Sequence, residues 1–315
     1  MNLGPEEYSF SRYLAAKAGL DDRSLNWQVR EALAGHFQEQ GKPSPFRVLE
    51  VGCGIGTMLE RLLDWRLLDF CLGDSAYTGI DLQAGLLDEA RARYQSYVTA
   101  RGAGPDRESG DLPDRQRPRP LIKISVAFEA IDLFRFLARE QDRNRWDLIV
   151  AHAFLDLVDL ETTLPGLLGL LAPGGCFYFT LNFDGATIFE PVIDPELDRL
   201  IETRYHRAMD QRRVQGRPSG SSHTGRRLFA HLAATGGTVL AAGASDWLVF
   251  PGPNGYPGDE AFFLRFILHT MQQALEGDPF LPAADFQDWL VRRRQQLKRQ
   301  ELVYLARQLD FFGQV

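Results

Sequence analysis

The stretch FRVLEVGCGIGT, residues 46–57, decides the fold. Its first half, Phe46 to Val51, with Phe46, Val48, Leu49 and Val51 apolar, reads as a short buried strand. The strand stops at three glycines spaced GxGxG: Gly52, Gly54 and Gly56. Thr57 then opens a helix with Met58, Leu59, Leu62 and Leu63 on its apolar side. Glycines at such a turn let the backbone bend tightly and approach a ligand with no side chain in the way. A second strand, AYTGID at 76–81, ends on Asp81. A carboxylate at that point can accept from both hydroxyls of a ribose. A dinucleotide pyrophosphate asks instead for GxGxxG, with its anion at the helix N-terminus. Here Thr57 takes the place of the last glycine.

Outward from this stretch, strand and helix patterns alternate as far as residue 181, which argues for an α/β fold with a mostly parallel sheet. Further strands are expected at 121–128, 147–151 and 176–181, a sixth within 239–250 and a seventh at 302–312. Residues 8–40 read as helical, with a capped second segment near Asp21 to Asn26, and two late helices fall near 259–275 and 284–299. The expected architecture is a doubly wound sheet of seven strands with a C-terminal antiparallel strand and helical cap additions. Residues 1–45 form an N-terminal helical cap, 46–183 a cofactor-binding core and 184–222 a cap insertion. The core continues over 223–250, a helical cap insertion follows at 251–300, and 301–315 supplies the terminal strand. Residues 101–120 are rich in proline, arginine and acids and carry no hydrophobic pattern. They read as a solvated, dispensable insertion at the amino edge of the sheet.

The chain has 315 residues, 44% of them hydrophobic, enough for a sizeable core. Its formal net charge of −7 weighs against a nucleic-acid partner, and the run Arg292, Arg293, Arg294, Lys298, Arg299 reads as the solvated side of a helix. Cys53, Cys71 and Cys176 are far apart and form no CxxC pair. Neither a disulfide framework nor a metal site is expected, and a reducing cytoplasm fits. The first ten residues carry Glu6 and Glu7 and no apolar run, so they do not read as a signal peptide. No stretch reaches the length of a membrane span.

Strand, GxGxG turn, helix, strand and terminal aspartate, in that order, resemble the class I S-adenosylmethionine-dependent methyltransferase family. The likeness covers residues 46–181, and the strand at 302–312 looks like that family's seventh. S-adenosylmethionine carries no phosphate, so its turn needs no anion cradle. The resemblance implies that Gly52, Gly54 and Gly56 line the methionine and ribose portions of the cofactor. It puts Glu50 at the acidic position before the first glycine and Asp81 on the ribose. Glu129 matches the acidic position that receives the adenine amino group, with Ala130 supplying a backbone N–H. His152, just past the fourth strand, falls beside the reactive sulfonium. There the chain lacks both the Asn-Pro-Pro-aromatic signature of enzymes that methylate base amino groups and the Pro-Cys pair of cytosine C5 enzymes. Both absences argue against nucleic-acid substrates. N-terminal helices often cover the cofactor in this family, which would let Arg23 meet its carboxylate.

A sulfonium already activates its methyl group, so the protein must hold a nucleophile in line with it at roughly 3–3.5 Å. A general base is needed only where the acceptor is protonated. His152 is the first candidate, with His206, His223, Tyr205 and Asp156 behind it. Connections leaving the carboxyl ends of the strands start at the ligand edge. The additions at 184–222 and 251–300 should therefore roof the cofactor and enclose an acceptor cavity of roughly 300–1,000 Å³. Tyr205, His206, Trp247 and Tyr256 are expected in its walls. The partner this predicts is a small molecule, with neither nucleic acid nor membrane involved. The alternatives are a catalytically silent S-adenosylmethionine-binding or regulatory protein, and an NAD-dependent oxidoreductase, which the glycine spacing disfavours.

Overall fold

The computed structural model describes residues 8–40, 45–67, 75–102, 124–141, 143, 145–214 and 216–315. At its centre is β1 (Phe46–Val51). β2 (Ser75–Asp81) and β3 (Ile124–Ala130) extend the sheet on one side, β4 (Trp146–His152) and β5 (Leu171–Glu190) on the other, all parallel. β10 (Val303–Gln314) runs antiparallel between β5 and β8 (Thr238–Ala244). The order is β3-β2-β1-β4-β5-β10-β8, and β9 (Trp247–Val249) lies along the other end of β10. The direction of winding reverses between β1 and β4, so the crevice at their carboxyl ends is the ligand edge. A separate two-stranded hairpin, β6 (Arg213–Val214) and β7 (Arg217–Pro218), stands off the sheet.

Alternation along the strands divides the core in two. Val48, Leu148, Val150 and Tyr178 face a layer that includes α2 (Trp27–Gln40) and α3 (Thr57–Asp64), where Val29, Leu33, Met58 and Leu62 are buried. Leu49, Val51, Ile149, Ala151, Phe177 and Phe179 face α5 (Leu133–Glu140), α6 (Leu160–Leu168) and α8 (Thr224–Ala234). Parallel strands covered on both faces need apolar residues at most positions, which is why β4 carries the unbroken run Leu148 to Ala151. α4 (Ala84–Gly102) packs on β2 and β3. The roof over the ligand edge consists of α1 (Phe10–Ser24), α7 (Pro195–Gln211), α9 (Glu260–Leu275) and, behind them, α10 (Ala283–Lys298).

Several elements differ from their expected extents. α5 follows β3 where no helix was expected; Asp132 caps it, accepting from the Arg135 N–H at 3.1 Å. β5 does not leave the sheet after residue 181 but continues through 183 and 184 to Glu190, because β10 pairs with it from Cys176 to Glu190. The expected sixth strand is two strands, β8 and β9, interrupted at Ser245 and Asp246, and both pair with β10. Residues 103–123, holding most of the expected insertion and the start of the expected third strand, lie outside the described residues.

Candidate functional site

All three glycines of the turn have left-handed backbone, with φ of +66° at Gly52, +52° at Gly54 and +79° at Gly56. Glycine takes this conformation with no Cβ penalty. Gly52 and Gly54 line a cavity at the ligand edge. A Cβ on Gly52 would stand 2.2 Å from Phe154 Cδ2, and one on Gly54 would stand 3.0 Å from Leu14 Cδ1. Gly56 lies off the cavity wall: its Cβ would meet Ala90 at 3.1 Å, so this glycine lets α3 start against α4. Asp81 braces the turn. Its Oδ2 accepts from the Gly54 N–H at 3.1 Å and its Oδ1 from the Gln83 N–H at 2.9 Å. An ionised carboxylate has about four acceptor positions, so each oxygen keeps capacity for a ligand hydroxyl. Beneath the turn, Glu50 is buried and accepts from the Tyr77 phenol. Burial pushes the Glu50 carboxyl up to about 8, with Tyr77 and Arg61 pulling the other way.

The cavity measures about 540 Å³ and runs from Asp81 and the glycine turn, past His152, into a chamber under the roof helices. The floor of the chamber is the continuation of β5 and β10: Phe183 and Thr187 from one strand, Tyr304 and Gln308 from the other. α1 supplies Tyr13 and Lys17, α7 Tyr205, α9 Phe266 and β9 Trp247. Asp156 enters from a short 3-10 turn, Leu155–Leu157, just after β4. Burial pushes the Asp156 carboxyl up to about 6, and that of the Tyr205 phenol up to about 12.

One carboxylate ties these walls together. Asp21 of α1, 1% exposed, forms an ion pair with Lys17 and accepts from the Trp247 indole at 2.9 Å. His152 Nε2 lies 3.2 Å from the same carboxylate and 3.3 Å from Arg61, while Nδ1 lies 2.8 Å from the Thr180 hydroxyl. Burial alone would raise the Asp21 carboxyl, but Lys17, His152 and Arg61 together hold it below the usual carboxylate range. Burial pushes His152 down to about 4 against the opposing pull of Asp21, so the ring is neutral at neutral pH. Both of its nitrogens are engaged.

The structure thus brings Glu50, Gly52, Gly54, Asp81, His152, Tyr205 and Trp247 to one cavity. Other expected site residues lie elsewhere. Arg23 points to α9, where it pairs with Glu260 and donates to the Leu248 carbonyl at 3.2 Å. Glu129 is held by Arg139 at 2.8 Å, and neither it nor Ala130 lines the cavity; Ile131 and Asp132 do. His206 lies behind the chamber, 3.0 Å from the Thr187 hydroxyl. Tyr256 donates to the Leu302 carbonyl at 2.8 Å, away from the cavity. Of Lys17 and Asp21 the sequence shows only two polar residues within a helical segment. Tyr304 and Gln308 gave no signal of their own, since the same strand also carries Arg307, Asp310 and Gln314.

Residues 49–177 match a family model described as a methyltransferase domain. No curated protein matches the chain by sequence. Among solved structures, phosphoethanolamine N-methyltransferase 2 from Haemonchus contortus aligns with 91% of this chain and 52% of its own, at 15% identity and TM-score 0.41. The chain therefore spans about half the length of that protein, 52%. Geranyl diphosphate C-methyltransferase from Streptomyces coelicolor A3(2) aligns with 91% of this chain and 81% of its own, at 10% identity and TM-score 0.41. A cyclopropane synthase from Mycobacterium tuberculosis aligns with 90% and 82%, at 11% identity and TM-score 0.43. No helix among the described residues is long and apolar enough to cross a membrane.

Proposed function

We propose that this chain, whose fold is that of the class I S-adenosylmethionine-dependent methyltransferases, transfers the cofactor's methyl group in line to a small-molecule acceptor. The observation that carries this reading is the single cavity joining the glycine turn and Asp81 to a roofed aromatic chamber. The turn fits the cofactor: a Cβ at Gly52 would collide with Phe154 and one at Gly54 would crowd Leu14, so the cradle is open only to glycine. Asp81 retains the acceptor capacity that two ribose hydroxyls need. When bound, S-adenosylmethionine supplies a methyl group on a positively charged sulfur.

The chain's own residues do the rest. Gly52 and Gly54 admit the cofactor, and Asp81 orients its ribose. Lys17, Arg212 and Arg217 line the cavity where Arg23 does not, and of these Lys17 is already paired with Asp21. His152 acts as a positioning residue in this reading: with both nitrogens engaged it fixes Asp21, and through Asp21 the α1 roof. The roof helices exclude water, so an acceptor held in the chamber is presented to the methyl group and not to solvent.

Calorimetry with S-adenosylmethionine, its demethylated product and NAD tests the reading. Binding of the first two without NAD is the expected result. Transfer of labelled methyl to any acceptor then separates an enzyme from a silent binding protein. A folded wild-type chain that binds neither sulfur compound overturns the reading.

A further inference from the structure

Building on the methyltransferase reading of this cavity, we propose that the methyl acceptor is a small organic amine, held as its ammonium form between Asp156 and Gln308 within a box of aromatic rings. Two buried atoms motivate this. Asp156 Oδ1 and Gln308 Oε1 have no hydrogen-bond partner among the described residues, and both residues line the chamber. Gln308 is 2% exposed. Buried polar atoms are nearly always satisfied, so an unsatisfied atom on each of two cavity-lining residues points to a ligand that makes up the deficit. Both are acceptors. The missing ligand must therefore bring donors, and at least two of them.

Charge narrows the class. Two cations face Asp156, and each is engaged elsewhere. Lys17 is paired with Asp21, and Arg212 donates to the backbone carbonyls of Ser219 at 2.9 Å and Asp156 at 3.3 Å. Neither cation forms an ion pair with the Asp156 carboxylate among the described residues, although the Arg212 charge, which no carboxylate balances in those bonds, still favours its ionised form. The Asp156 carboxyl is raised by burial only to about 6, so it is ionised at neutral pH. An anionic acceptor would meet this charge head-on, whereas an ammonium neutralises it and satisfies an acceptor at once.

The rings favour the same class. Tyr13, Tyr205, Tyr304, Trp247 and Phe266 line the chamber, and aromatic faces attract cations. The wall already shows such a contact, with Lys17 Nζ 5.5 Å from the centre of the Trp247 ring. The hydroxyls of Tyr13, Tyr205 and Tyr304 make no hydrogen bond among the described residues, so they can turn their oxygens toward an N–H. In the transfer, one ammonium proton passes to the Asp156 carboxylate. The freed nitrogen lone pair forms the new N–C bond as the C–S bond breaks, and that bond's electron pair stays with sulfur. The product is again an ammonium, so positive charge moves from sulfur to nitrogen and none is lost.

The test uses the full chain and phenethylamine, N-methylbenzylamine and spermidine as probes, with 2-phenylethanol and phenylacetate as oxygen counterparts. Calorimetry in the presence of S-adenosylhomocysteine measures binding; labelled methyl transfer measures turnover. At least one amine should bind tenfold or more tightly than either oxygen probe and accept methyl. Asp156→Asn should weaken that amine at least tenfold, and Gln308→Leu at least threefold, with S-adenosylhomocysteine affinity unchanged in both. Circular dichroism establishes that each variant is folded, and the second variant keeps the test decisive if the first is not. Binding of S-adenosylhomocysteine with preference for an oxygen probe, with no probe bound, or with amine affinity indifferent to both variants overturns the amine assignment alone. Failure of the wild type to bind S-adenosylhomocysteine overturns the underlying reading instead.

Discussion

Replacing Asp21 with Asn keeps the size of the side chain and its ability to accept from Trp247, but removes the charge that Lys17 faces. Lys17 is 5% exposed and Asp21 1%, so the pair sits out of water. Breaking a buried pair by deleting one partner strands the other charge and costs about 3–5 kcal/mol. At roughly 2–4 °C per kcal/mol for a large domain, the melting temperature should fall by about 6 °C or more. Arg61, 3.9 Å from Asp21 and paired with Asp22 at 2.6 Å, is a second cation there and adds to the unbalanced positive charge. Lys17→Met removes the stranded charge. The double variant should therefore recover at least half of the loss, whereas independent sites would show losses that add. Thermal melts of the two single variants, the double variant and the wild type complete the cycle. A single Asp21→Asn change within about 2 °C of wild type, or a double variant whose losses add, would refute the claim that this buried pair holds the α1 roof in place.

The remaining predictions address the cofactor end and pH. Gly54→Val combines an unfavourable φ of +52° with a Cβ 3.0 Å from Leu14, so a folded variant should lose S-adenosylhomocysteine binding in calorimetry; wild-type affinity would contradict the proposed cradle. Asp81→Ala should weaken cofactor binding by about 1.5–3 kcal/mol, the range for hydrogen bonds to a charged group, and unchanged affinity would remove Asp81 from the site. For Glu50 the carboxyl rises from 4.5 to about 8 on folding. Between those values the folded chain keeps a proton that the unfolded chain has released. Its contribution to stability is thus complete below 4.5 and is lost as pH rises through about 8. The melting temperature of Glu50→Gln minus that of wild type should therefore increase from pH 5 to pH 8.5, and a flat difference would show that Glu50 is ionised in the folded state.

The cofactor end of the fold was legible because its signals are local. A strand, three glycines and a helix follow one another within residues 46–64, and Asp81 closes the next strand, so backbone chemistry over a short span dictates the geometry. The chamber was hardly legible because it is assembled from segments far apart in the chain. Asp21 reaches His152 and Trp247 across 131 and 226 residues, and no short-range periodicity encodes such contacts. Arg23 illustrates the difficulty. Lys17, the nearest α1 residue that lines the cavity, lies six residues before it, and a change of face sends Arg23 to Glu260 on α9 instead. Glu129 failed to reach the cavity for a different reason. It lies at an exposed strand end, where the nearest guanidinium, Arg139, claims it.

The length of β5 decides how the two ends of the cavity are related. Had the strand stopped at residue 181, the chain would have left the sheet beside His152, and the acceptor would have rested on loops. Because β10 pairs with β5 as far as Glu190, the sheet itself continues under the roof and delivers Thr187, Tyr304 and Gln308 as a floor. A floor of paired strands holds its side chains more precisely than a loop can. Opposite it, Asp21 links α1 to β4 through His152 and to β9 through Trp247. Floor and roof are thus fixed to the same sheet that carries the glycine turn. An acceptor fitted between Gln308 and Asp156 would be held in the same rigid frame as a cofactor on Gly52, Gly54 and Asp81. That is the condition an in-line transfer needs, since its rate depends on the distance and angle between two separately bound molecules.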